Sequence, residues 1–451
     1  MKRRPNLLFV FSDQHRKCSL GCYGDRQVLA PNLDRLAADG LRFDHCVSNF
    51  PVCVPMRGSL LTGLYAWNHQ AISNDLPIDT AVTGIGDKLE AAGYHTGYIG
   101  KWHLGGIPRD KAIRAGERLG FSEWKVANCN HTYNRGYYYD EEDNRHEMKQ
   151  FDAVEETGQA IDFIERNSGN DKPWALFLSW GPPHEPFNAV PPEYLALYDP
   201  ETLELRPNVP ADLAAEARKW TQAYYALITL LDDQFGRLRS TVEELGLAED
   251  TLIVYTSDHG DLLGSHRLRN KQLPHEESIA VPLLAAWPGR LKPGVRDGQI
   301  GLTDLPVTLA AMLGIDWPGT DGKDRSELFR SGDTPGADSI LIADLVPCHQ
   351  AEDRGDSEWV GLRTPRYTFT RDGAGKAEVL FDNEADPYQL CNLAGNPEYG
   401  ELQTALNAEL DRKLNDCGYR FRPWRQMIRE DGYLERWNTS QRYFKRRELE
   451  P

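Results

Sequence analysis

The sequence lacks a long apolar run, an excess of positive charge and any repeated spacing of cysteines. No stretch approaches the roughly 20 apolar residues that a membrane-spanning helix needs, so we expect no membrane partner. The 51 Lys and Arg residues against 68 Asp and Glu give a net charge of −17, which argues against binding to nucleic acid. An anionic substrate would need a local group of positive side chains in this acidic protein.

The cysteines and the first residues bear on the compartment in which the protein works. Cysteines lack the paired spacing of a zinc site or a disulfide framework, and most are expected to be buried free thiols; they lie at positions 18, 22, 46, 53, 129, 348, 391 and 417. The apolar run at residues 7–11 is too short for the core of a signal peptide. These features predict a cytoplasmic, reducing location.

Four short apolar segments each stop at charged or metal-binding side chains. They span residues 7–11, 95–99, 174–178 and 252–255, and they are followed by Asp13-Gln14, Lys101 with His103, His184, and Asp258-His259. Helical spacing of apolar residues lies between them, at 85–92, 153–166 and 211–245. This alternation predicts an α/β fold with a large, mostly parallel sheet sandwiched by helices. Because such folds bind ligands at the carboxyl ends of their strands, the four polar groups should converge there.

Asp13 and Asp258 are candidate metal ligands by residue type. A single Asp after a strand is more often a helix cap or a turn residue, and either carboxylate alone would favour that interpretation. Here both strands end in Ser-Asp, and a further ligand type follows each, Gln14 and His259. Oxygen and imidazole groups together suit a divalent cation, so the paired pattern favours a metal site.

Cys53 begins a segment with helix signals at both ends. Pro55 suits the first turn of a helix and Gly63 suits its end. Cys53 would then lie at the helix N-terminus, where free N–H groups and the helix dipole favour an anion. Arg57, one turn further on, could reach the same region. The residues alone leave open a buried structural cysteine and an activated thiolate.

The segment Cys53-x-Pro55-x-Arg57, followed by Leu61-Thr62-Gly63, resembles the signature of the type I sulfatases of the alkaline phosphatase superfamily. In that family a formylglycine-generating enzyme oxidises the cysteine to formylglycine. Further matches follow in order from residue 5 to about residue 395. They are Pro5-Asn6-Leu7-Leu8, Gly21-Cys22-Tyr23-Gly24, Gly97 through Lys101-Trp102-His103 to Gly105, Ser257-Asp258-His259-Gly260 with Lys271 and Glu276, and Phe381-Asp382 through Asp386-Pro387-Tyr388.

The resemblance implies hydrolysis of a sulfate ester in which a hydroxyl of hydrated formylglycine, made from Cys53, attacks sulfur. It also implies one divalent cation, expected to be Ca²⁺ with Mn²⁺ or Mg²⁺ as alternatives. The implied ligands are Asp13, Gln14, Cys53, Asp258 and His259.

Other residues would act on the sulfate or on the leaving group, again by resemblance. The implied catalytic residues beside Cys53 are Arg57, Lys101, His103, His184 and Lys271. His184 is expected to protonate the leaving oxygen, although a loop histidine braced by two prolines is its structural alternative. Lys101, His184 and Lys271 are expected to bind substrate, together with Asn74.

Two positions depart from the common family pattern. Many relatives carry Asp in place of Gln14 and Asn in place of His259, and the imidazole makes Mn²⁺ plausible beside Ca²⁺. The same pair occurs in relatives that cleave phosphonate and phosphate esters, so a phosphonate monoester or phosphodiester hydrolase is the alternative function. Lys101 and His103 favour sulfate, whereas Asn74 lies about where those relatives contact their substrate.

Two rival classes and the substrate remain open at this stage. Cys53 could act directly as a thiolate, or the chain could be a non-enzymatic protein that binds anions or glycans. The expected substrate is a small-molecule or carbohydrate sulfate ester, on a sugar or an aryl group. Loops such as residues 125–150 are predicted to form the substrate pocket. The aromatic side chains of Tyr137-Tyr138-Tyr139 in this loop would suit stacking on an aryl or sugar ring of the substrate.

The pattern changes after Pro335. Short strands are predicted at 340–343, 360–363, 366–370 and 379–381, followed by a helix at 399–414. We therefore expect a catalytic α/β domain at 1–335 and a smaller antiparallel sheet with a helix at 336–451. The Arg- and aromatic-rich segment 420–447 is either a solvated or core-docked tail, or a lining of the substrate cleft or of a contact within a homo-oligomer.

Overall fold

The computed structural model describes residues 4–332 and 336–450. Its strands are β1 (Asn6–Asp13), β2 (Leu41–Phe43), β3 (Cys46–Val47), β4 (His95–Lys101), β5 (Glu123–Ala127), β6 (Tyr137–Tyr139), β7 (Arg145–Glu147), β8 (Trp174–Pro183), β9 (Thr251–Ser257), β10 (Leu283–Ala286), β11 (Gly294–Arg296), β12 (Ile300–Gly301), β13 (Ile340–Asp344), β14 (Trp359–Arg363), β15 (Tyr367–Asp372) and β16 (Ala377–Asp382). Its α-helices are α1 (Pro31–Asp39), α2 (Cys53–Thr62), α3 (Ala66–His69), α4 (Ile85–Ala91), α5 (Asp152–Asn167), α6 (Pro192–Leu195), α7 (Ala214–Glu244), α8 (Glu276–Ile279), α9 (Leu305–Met312), α10 (Ser326–Arg330), α11 (Gln350–Arg354), α12 (Gly400–Asp416), α13 (Trp424–Glu430) and α14 (Leu434–Tyr443).

A ten-stranded sheet forms the centre of the molecule, in the order β11-β2-β10-β9-β1-β8-β4-β5-β6-β7. The strands from β9 to β5 in this order run parallel to one another. Antiparallel pairing of β10 with β9 and of β6 with β5 flanks this centre. The four strands expected from the sequence are β1, β4, β8 and β9, and the prediction of a large, mostly parallel sheet is confirmed.

β1 lies in the middle of the sheet because both of its faces are apolar. Leu7, Phe9 and Phe11 pack in a core with side chains of α2, α4 and α9. Leu8 and Val10 point to the other face and pack with α1, α5 and α7. A strand that is covered on both faces has a continuous apolar sequence instead of an alternating one, which is the pattern of residues 7–11.

The C-terminal part contains the smaller antiparallel sheet that the sequence predicts. β13 to β16 pair in sequential order, and α12 follows them. The expected division at residue 335 lies outside the described residues. In the tail, Trp424 and Trp437 are buried in the same core as the α2 face of the main sheet, in agreement with the core-docked alternative.

The carboxyl ends of β9, β1, β8 and β4 bring the predicted polar groups to one edge of the sheet. In the register, Ser12 pairs with both Ser257 and Trp180, and Gly100 pairs with Ser179. The site residues therefore leave four neighbouring strands at the same level. Within the described residues, no helix is both long and apolar enough to cross a membrane.

Gly100 lets β4 approach β8 closely, immediately before Lys101. Its φ is +102°, and a Cβ at this position would lie 2.1 Å from the carbonyl oxygen of Ser179. Only glycine combines this backbone conformation with that spacing.

We predict that Gly100→Ala lowers the unfolding temperature by more than Gly93→Ala does. Gly93 also has a positive φ, +88°, but a Cβ added there would meet no described atom within 4 Å apart from its chain neighbours. Gly93→Ala is therefore destabilised only by the positive φ of a non-glycine residue, which costs about 1–3 kcal/mol. Thermal unfolding followed by circular dichroism measures both shifts, and equal shifts would contradict the close approach of the two strands.

Candidate active site

Four buried ligand groups converge at the end of β1 and β9. Asp13, Cys53, Asp258 and His259 each offer one ligand atom, and these atoms all lie within 4.8 Å of one another. The Cys53 Sγ lies 3.2 Å from the Nε2 of His259 and 3.6 Å from the Oδ1 of Asp13. The same Nε2 lies 3.7 Å from carboxylate oxygens of Asp13 and Asp258. The donor set of carboxylate oxygens and imidazole nitrogen suits a divalent cation.

Backbone hydrogen bonds fix the orientation of this cluster. The Nδ1 of His259 lies 3.0 Å from the carbonyl oxygen of Gly260, which can only accept, so Nδ1 carries the proton. The Nε2 then faces Cys53 and the carboxylates, which is the orientation that a metal ligand requires. Backbone N–H groups of Gln14 and His259 donate to the Oδ1 of Asp258 at 3.0 and 2.9 Å.

Arg57 lies behind the carboxylates and is fully buried. Its Nε donates to Asp258 at 2.9 Å and its Nη2 to Asp13 at 3.2 Å. Its Nη1 donates to the Lys101 carbonyl at 2.9 Å and to the Ser179 hydroxyl at 2.7 Å. One guanidinium thus joins the ends of β1, β4 and β8 to the loop after β9, and compensates two carboxylates that burial would otherwise penalise.

Lys101 adds a second positive charge to Asp13. Its Nζ lies 2.6 Å from the Oδ2 of Asp13, and its side chain is 3% exposed. Burial would raise the pKa of Asp13, but the positive charges around it, that of Lys101 foremost, outweigh burial and hold this pKa well below its usual value. Asp13 is therefore an ionised carboxylate, which is the form that binds a cation.

Cys53 is the first residue of α2, as the sequence predicts, and Gly63 ends this helix with a φ of +67°. The Val54 N–H donates to the Oδ1 of Asn74 at 3.1 Å, which places Asn74 directly beside the nucleophile position. Burial and Asp13 raise the pKa of the Cys53 thiol, whereas Lys271, Lys101 and His259 lower it, and the net result is a pKa well below the usual value.

Gln14, Lys271 and His184 form a chain of hydrogen bonds at the cluster. The Lys271 Nζ lies 2.5 Å from the Oε1 of Gln14 and 2.8 Å from the Nε2 of His184. The Nδ1 of His184 lies 2.6 Å from the Glu185 carbonyl and must carry the proton, so its Nε2 accepts from the ammonium. Burial and the charge of Lys271 lower the pKa of His184 to about 3, which makes the ring neutral near pH 7.

A cavity of about 650 Å³ opens onto Cys53 and separates the predicted residues into two groups. Five of the predicted residues line this cavity: Cys53, Asn74, His103, His184 and Lys271. The others lie behind this lining and are buried; they are Asp13, Gln14, Arg57, Lys101, Asp258 and His259. Neither ring nitrogen of His103 has a hydrogen-bond partner in the described part of the chain, which leaves both available to a bound ligand.

Several further side chains line the cavity that the sequence did not indicate. They are Arg109, His131, Glu185, Phe187, Trp220, Arg269, His349, Asp353 and Arg446. The prediction that Tyr137–Tyr139 supply aromatic surface in the pocket is wrong, because these residues are not among those that line the cavity. They form β6, which pairs with β7 at the edge of the sheet. The loop before them contributes His131 instead, while Trp220 of α7 and Phe187 provide aromatic surface. Arg446 belongs to the tail segment 420–447, in agreement with the alternative in which this tail lines the substrate cleft.

Models of known families match most of the chain. A model described as Sulfatase matches residues 5–315. A second, described as N-sulphoglucosamine sulphohydrolase, C-terminal, matches residues 264–416. The first contains every residue of the ligand cluster, and the second extends over the four-stranded sheet and α12.

Individual relatives agree with these matches. The chain is 35% identical over 444 residues to an ulvan-active sulfatase of Formosa agariphila, covering 96% of this chain and 84% of the relative. It is 27% identical over 475 residues to an endo-4-O-sulfatase of Bacteroides thetaiotaomicron, covering 91% and 92%. A solved structure described as a sulfatase, yidJ, of Bacteroides fragilis superimposes with a TM-score of 0.86 at 28% identity, covering 93% and 97%. With the buried carboxylate, imidazole and cysteine cluster in place, these matches show that the chain belongs to the sulfatase family of the alkaline phosphatase superfamily and is an enzyme that hydrolyses sulfate esters.

Proposed function

We propose that this sulfatase releases sulfate from a sulfated sugar, with formylglycine made from Cys53 and a divalent cation at the buried cluster. The observation that carries the proposal is the convergence of four ligand atoms within 4.8 Å at the floor of a cavity. We propose Asp13, Asp258, His259 and residue 53 as cation ligands. We propose Gln14 as a fifth ligand, since it follows Asp13 directly and its backbone N–H donates to the Oδ1 of Asp258.

Ca²⁺ is the proposed cation, since most of the donors are oxygens. When bound, the cation would act as a Lewis acid on the sulfate, and formylglycine would supply the attacking hydroxyl. Imidazole among the ligands keeps Mn²⁺ as the alternative. Arg57 contacts the carboxylates, and we propose that it holds them in position for the cation.

The charged and polar groups around Cys53 would bind the sulfate. Lys271 and His103 line the cavity, and Lys101 lies just behind it with its ammonium on Asp13. Fixed positive groups in a buried site stabilise the charge that develops on the sulfate oxygens. The ring nitrogens of His103 have no hydrogen-bond partner among the described residues, and we propose that they orient the sulfate.

The Lys271–His184 pair would supply the proton to the leaving oxygen. In the structure the ammonium donates to the Nε2 of a neutral His184, so the proton initially resides on Lys271. We propose that the pair shares this proton and delivers it as the carbon-bound oxygen departs. Both side chains line the cavity, as such a role requires.

A sugar is the proposed alcohol part of the substrate. Trp220 and Phe187 line the cavity, and Arg269 stacks on the Trp220 ring at 4.4 Å. Aromatic faces of this kind suit the apolar face of a sugar ring. A relative at 35% identity is called ulvan-active, and another is called an endo-4-O-sulfatase. We also propose that residues 336–451 form a second unit that completes this cavity through Arg446.

Removal of the cation ligands should abolish stabilisation by a divalent cation. After chelation and dialysis, Ca²⁺ at 100-fold above its Kd should stabilise the wild type by about 2.7 kcal/mol, because two buried carboxylates bind it. Asp258→Asn should lose this response, while Asp162→Asn, an exposed carboxylate on α5, should keep it. Thermal shift assays with Ca²⁺ and Mn²⁺ measure the effect. An undiminished response in Asp258→Asn would contradict the proposed ligand set.

Conversion of Cys53 should control activity. Co-expression with a formylglycine-generating enzyme should give an aldehyde at position 53, detected by peptide mass and aldehyde labelling. Hydrolysis of 4-nitrophenyl sulfate and of sugar sulfates should rise with the aldehyde fraction. It should vanish in Cys53→Ala and persist in Cys391→Ser, an exposed free cysteine.

Each other outcome of this experiment supports a different function. Full activity of the unmodified thiol would indicate a thiolate nucleophile. Faster cleavage of a phosphonate monoester than of any sulfate ester would indicate the phosphonate hydrolase alternative. No turnover of any ester by aldehyde-bearing protein would indicate a binding protein.

The loss of activity on substitution of His184 should depend on how readily the alcohol departs without a proton. His184→Gln should lower kcat on a sugar sulfate by at least about 100-fold, because an alkoxide needs a proton to depart. The loss on 4-nitrophenyl sulfate should be much smaller, since nitrophenolate leaves without protonation. His146→Gln, on the exposed β6–β7 hairpin, is the control. Equal losses on both substrates would exclude proton donation by this pair.

A further inference from the structure

One wall of the cavity is organised by a buried carboxylate that is not part of the cation cluster. Asp75 is fully buried and accepts from Arg109 twice, at 2.7 and 2.8 Å. The His349 Nε2 lies 2.8 Å from the Asp75 Oδ2, and the His103 Nε2 lies 3.8 Å from its Oδ1. Burial would raise the pKa of Asp75, but these three groups hold it well below its usual value. Asp75 therefore holds two cavity-lining side chains, Arg109 and His349, by hydrogen bonds, and its charge lies close to a third, His103.

Arg109 is rigidly held with part of its guanidinium unused. Its bidentate contact to Asp75 engages Nε and Nη2, and its charge lies 4.7 Å from the centre of the Phe444 ring. In the described part of the chain, no hydrogen bond involves its Nη1. Because Arg109 lines the cavity, it presents a pre-positioned donor and a positive charge to a ligand.

His349 completes the same wall in an unusual backbone conformation. Its φ is +51° and its ψ is −113°, which a non-glycine residue adopts only at a cost of about 1–3 kcal/mol. Its ring meets Phe444 edge-on at 5.1 Å. In this conformation the imidazole contacts Asp75 and Arg109. Strained backbone conformations of this kind are concentrated at binding and catalytic sites.

The tail places a second guanidinium in the same cavity. Arg446 lines the cavity, is 26% exposed and pairs with Glu352 and Asp353 at 3.0–3.1 Å. Asp353 itself is 65% exposed. Ion pairs at this level of exposure are worth about 0–1 kcal/mol, so a ligand anion can compete with Asp353 for Arg446.

The charge of the cavity contrasts with that of the whole protein. Its lining contains four cationic side chains and four histidines but only two carboxylates, Glu185 and Asp353, in a chain of net charge −17. Lys271 is assigned to the sulfate ester that is cleaved. The other three cations each contact a carboxylate: Arg109 with Asp75, Arg269 with Glu185, and Arg446 with Glu352 and Asp353. Asp353 is the most exposed of these carboxylates, so it is the one that a ligand anion displaces most easily.

We propose that Arg109, His349 and Arg446 bind a second anionic group of the substrate, a carboxylate or another sulfate on the sugar or on its neighbour. The inference rests on the proposed sugar sulfatase function and deepens it by naming a polyanionic saccharide as the substrate class. Arg109 and Arg446 contact the second anion directly, whereas Asp75 is a positioning residue that holds Arg109 and His349.

The test measures binding without turnover. Cys53→Ala protein with Ca²⁺ is titrated calorimetrically with three ligands: glucose 6-sulfate, glucosamine-2-N,6-O-disulfate and a monosulfated disaccharide that contains a uronate. Comparison of the last two distinguishes a second sulfate from a carboxylate. In this background, Arg446→Gln removes a proposed contact and Asp353→Asn removes its competitor. Arg442→Gln, an exposed tail arginine that pairs with Glu435 and Glu448, is the matched control.

The two substitutions should act in opposite directions. Arg446→Gln should weaken at least one two-anion ligand by about tenfold and the one-anion ligand by much less. Asp353→Asn should tighten that same two-anion ligand, and Arg442→Gln should leave all three unchanged. A purely structural role of Arg446 would affect one- and two-anion ligands equally.

The proposal is overturned by equal losses on all ligands, by shifts of the same sign in Arg446→Gln and Asp353→Asn, or by no measurable binding of either two-anion ligand. Hydrolysis of 4-nitrophenyl sulfate by the formylglycine-bearing wild type reports separately on the proposed function. Normal hydrolysis with any of those binding results would refute the second-anion subsite alone.

Discussion

The contact of one buried guanidinium with two buried carboxylates is the interaction on which the active site depends. Asp13 and Asp258 repel each other, and burial penalises both charges. Arg57 pairs with both and also reaches the Lys101 carbonyl and Ser179, so it couples the ends of three parallel strands and the loop after β9. The geometry of the sheet and the charge balance of the site are therefore set by the same side chain.

This arrangement separates the reaction from the recognition of substrate. The groups proposed to act on sulfate come from strand ends and from the first turn of α2, which are fixed by the packed core, and, in the case of Lys271, from the segment before α8. The groups proposed to recognise the remainder of the substrate come from loops, from α7 and from the C-terminal tail. Such segments can vary without disturbing the sheet, so the lining of the cavity can change while the strand-end groups stay in place.

The sequence was sufficient to predict that the strand-end polar groups converge, because its signals are local. Apolar runs that stop at Asp13, Lys101 and Asp258 identify strand ends, and the rule that parallel strands present ligands at their carboxyl ends places them together. Pro55 and Gly63 predicted the position of Cys53 at a helix N-terminus, whereas its proposed role came from the resemblance to the sulfatase signature. The small C-terminal sheet followed from short β-rich segments in the same way.

The cavity rim could not be predicted in this manner. Asp75, Arg109 and His349 lie in irregular segments more than thirty residues apart, and no periodic pattern links them. Arg446 was one of many arginines in the tail, so its position depended on how α13 and α14 dock. The aromatic run Tyr137–Tyr139 was wrongly predicted to line the pocket, because its residues form a strand of an edge hairpin instead. Trp220 lines the cavity from the long helix α7.

An anomalous diffraction experiment on crystals of the protein soaked in Mn²⁺ would locate the cation. We expect one strong peak enclosed by Asp13, Asp258, His259 and residue 53, with Arg57 still on the carboxylates. A peak elsewhere, or none at this cluster under conditions in which the enzyme hydrolyses sulfate esters, would contradict the proposed cation site.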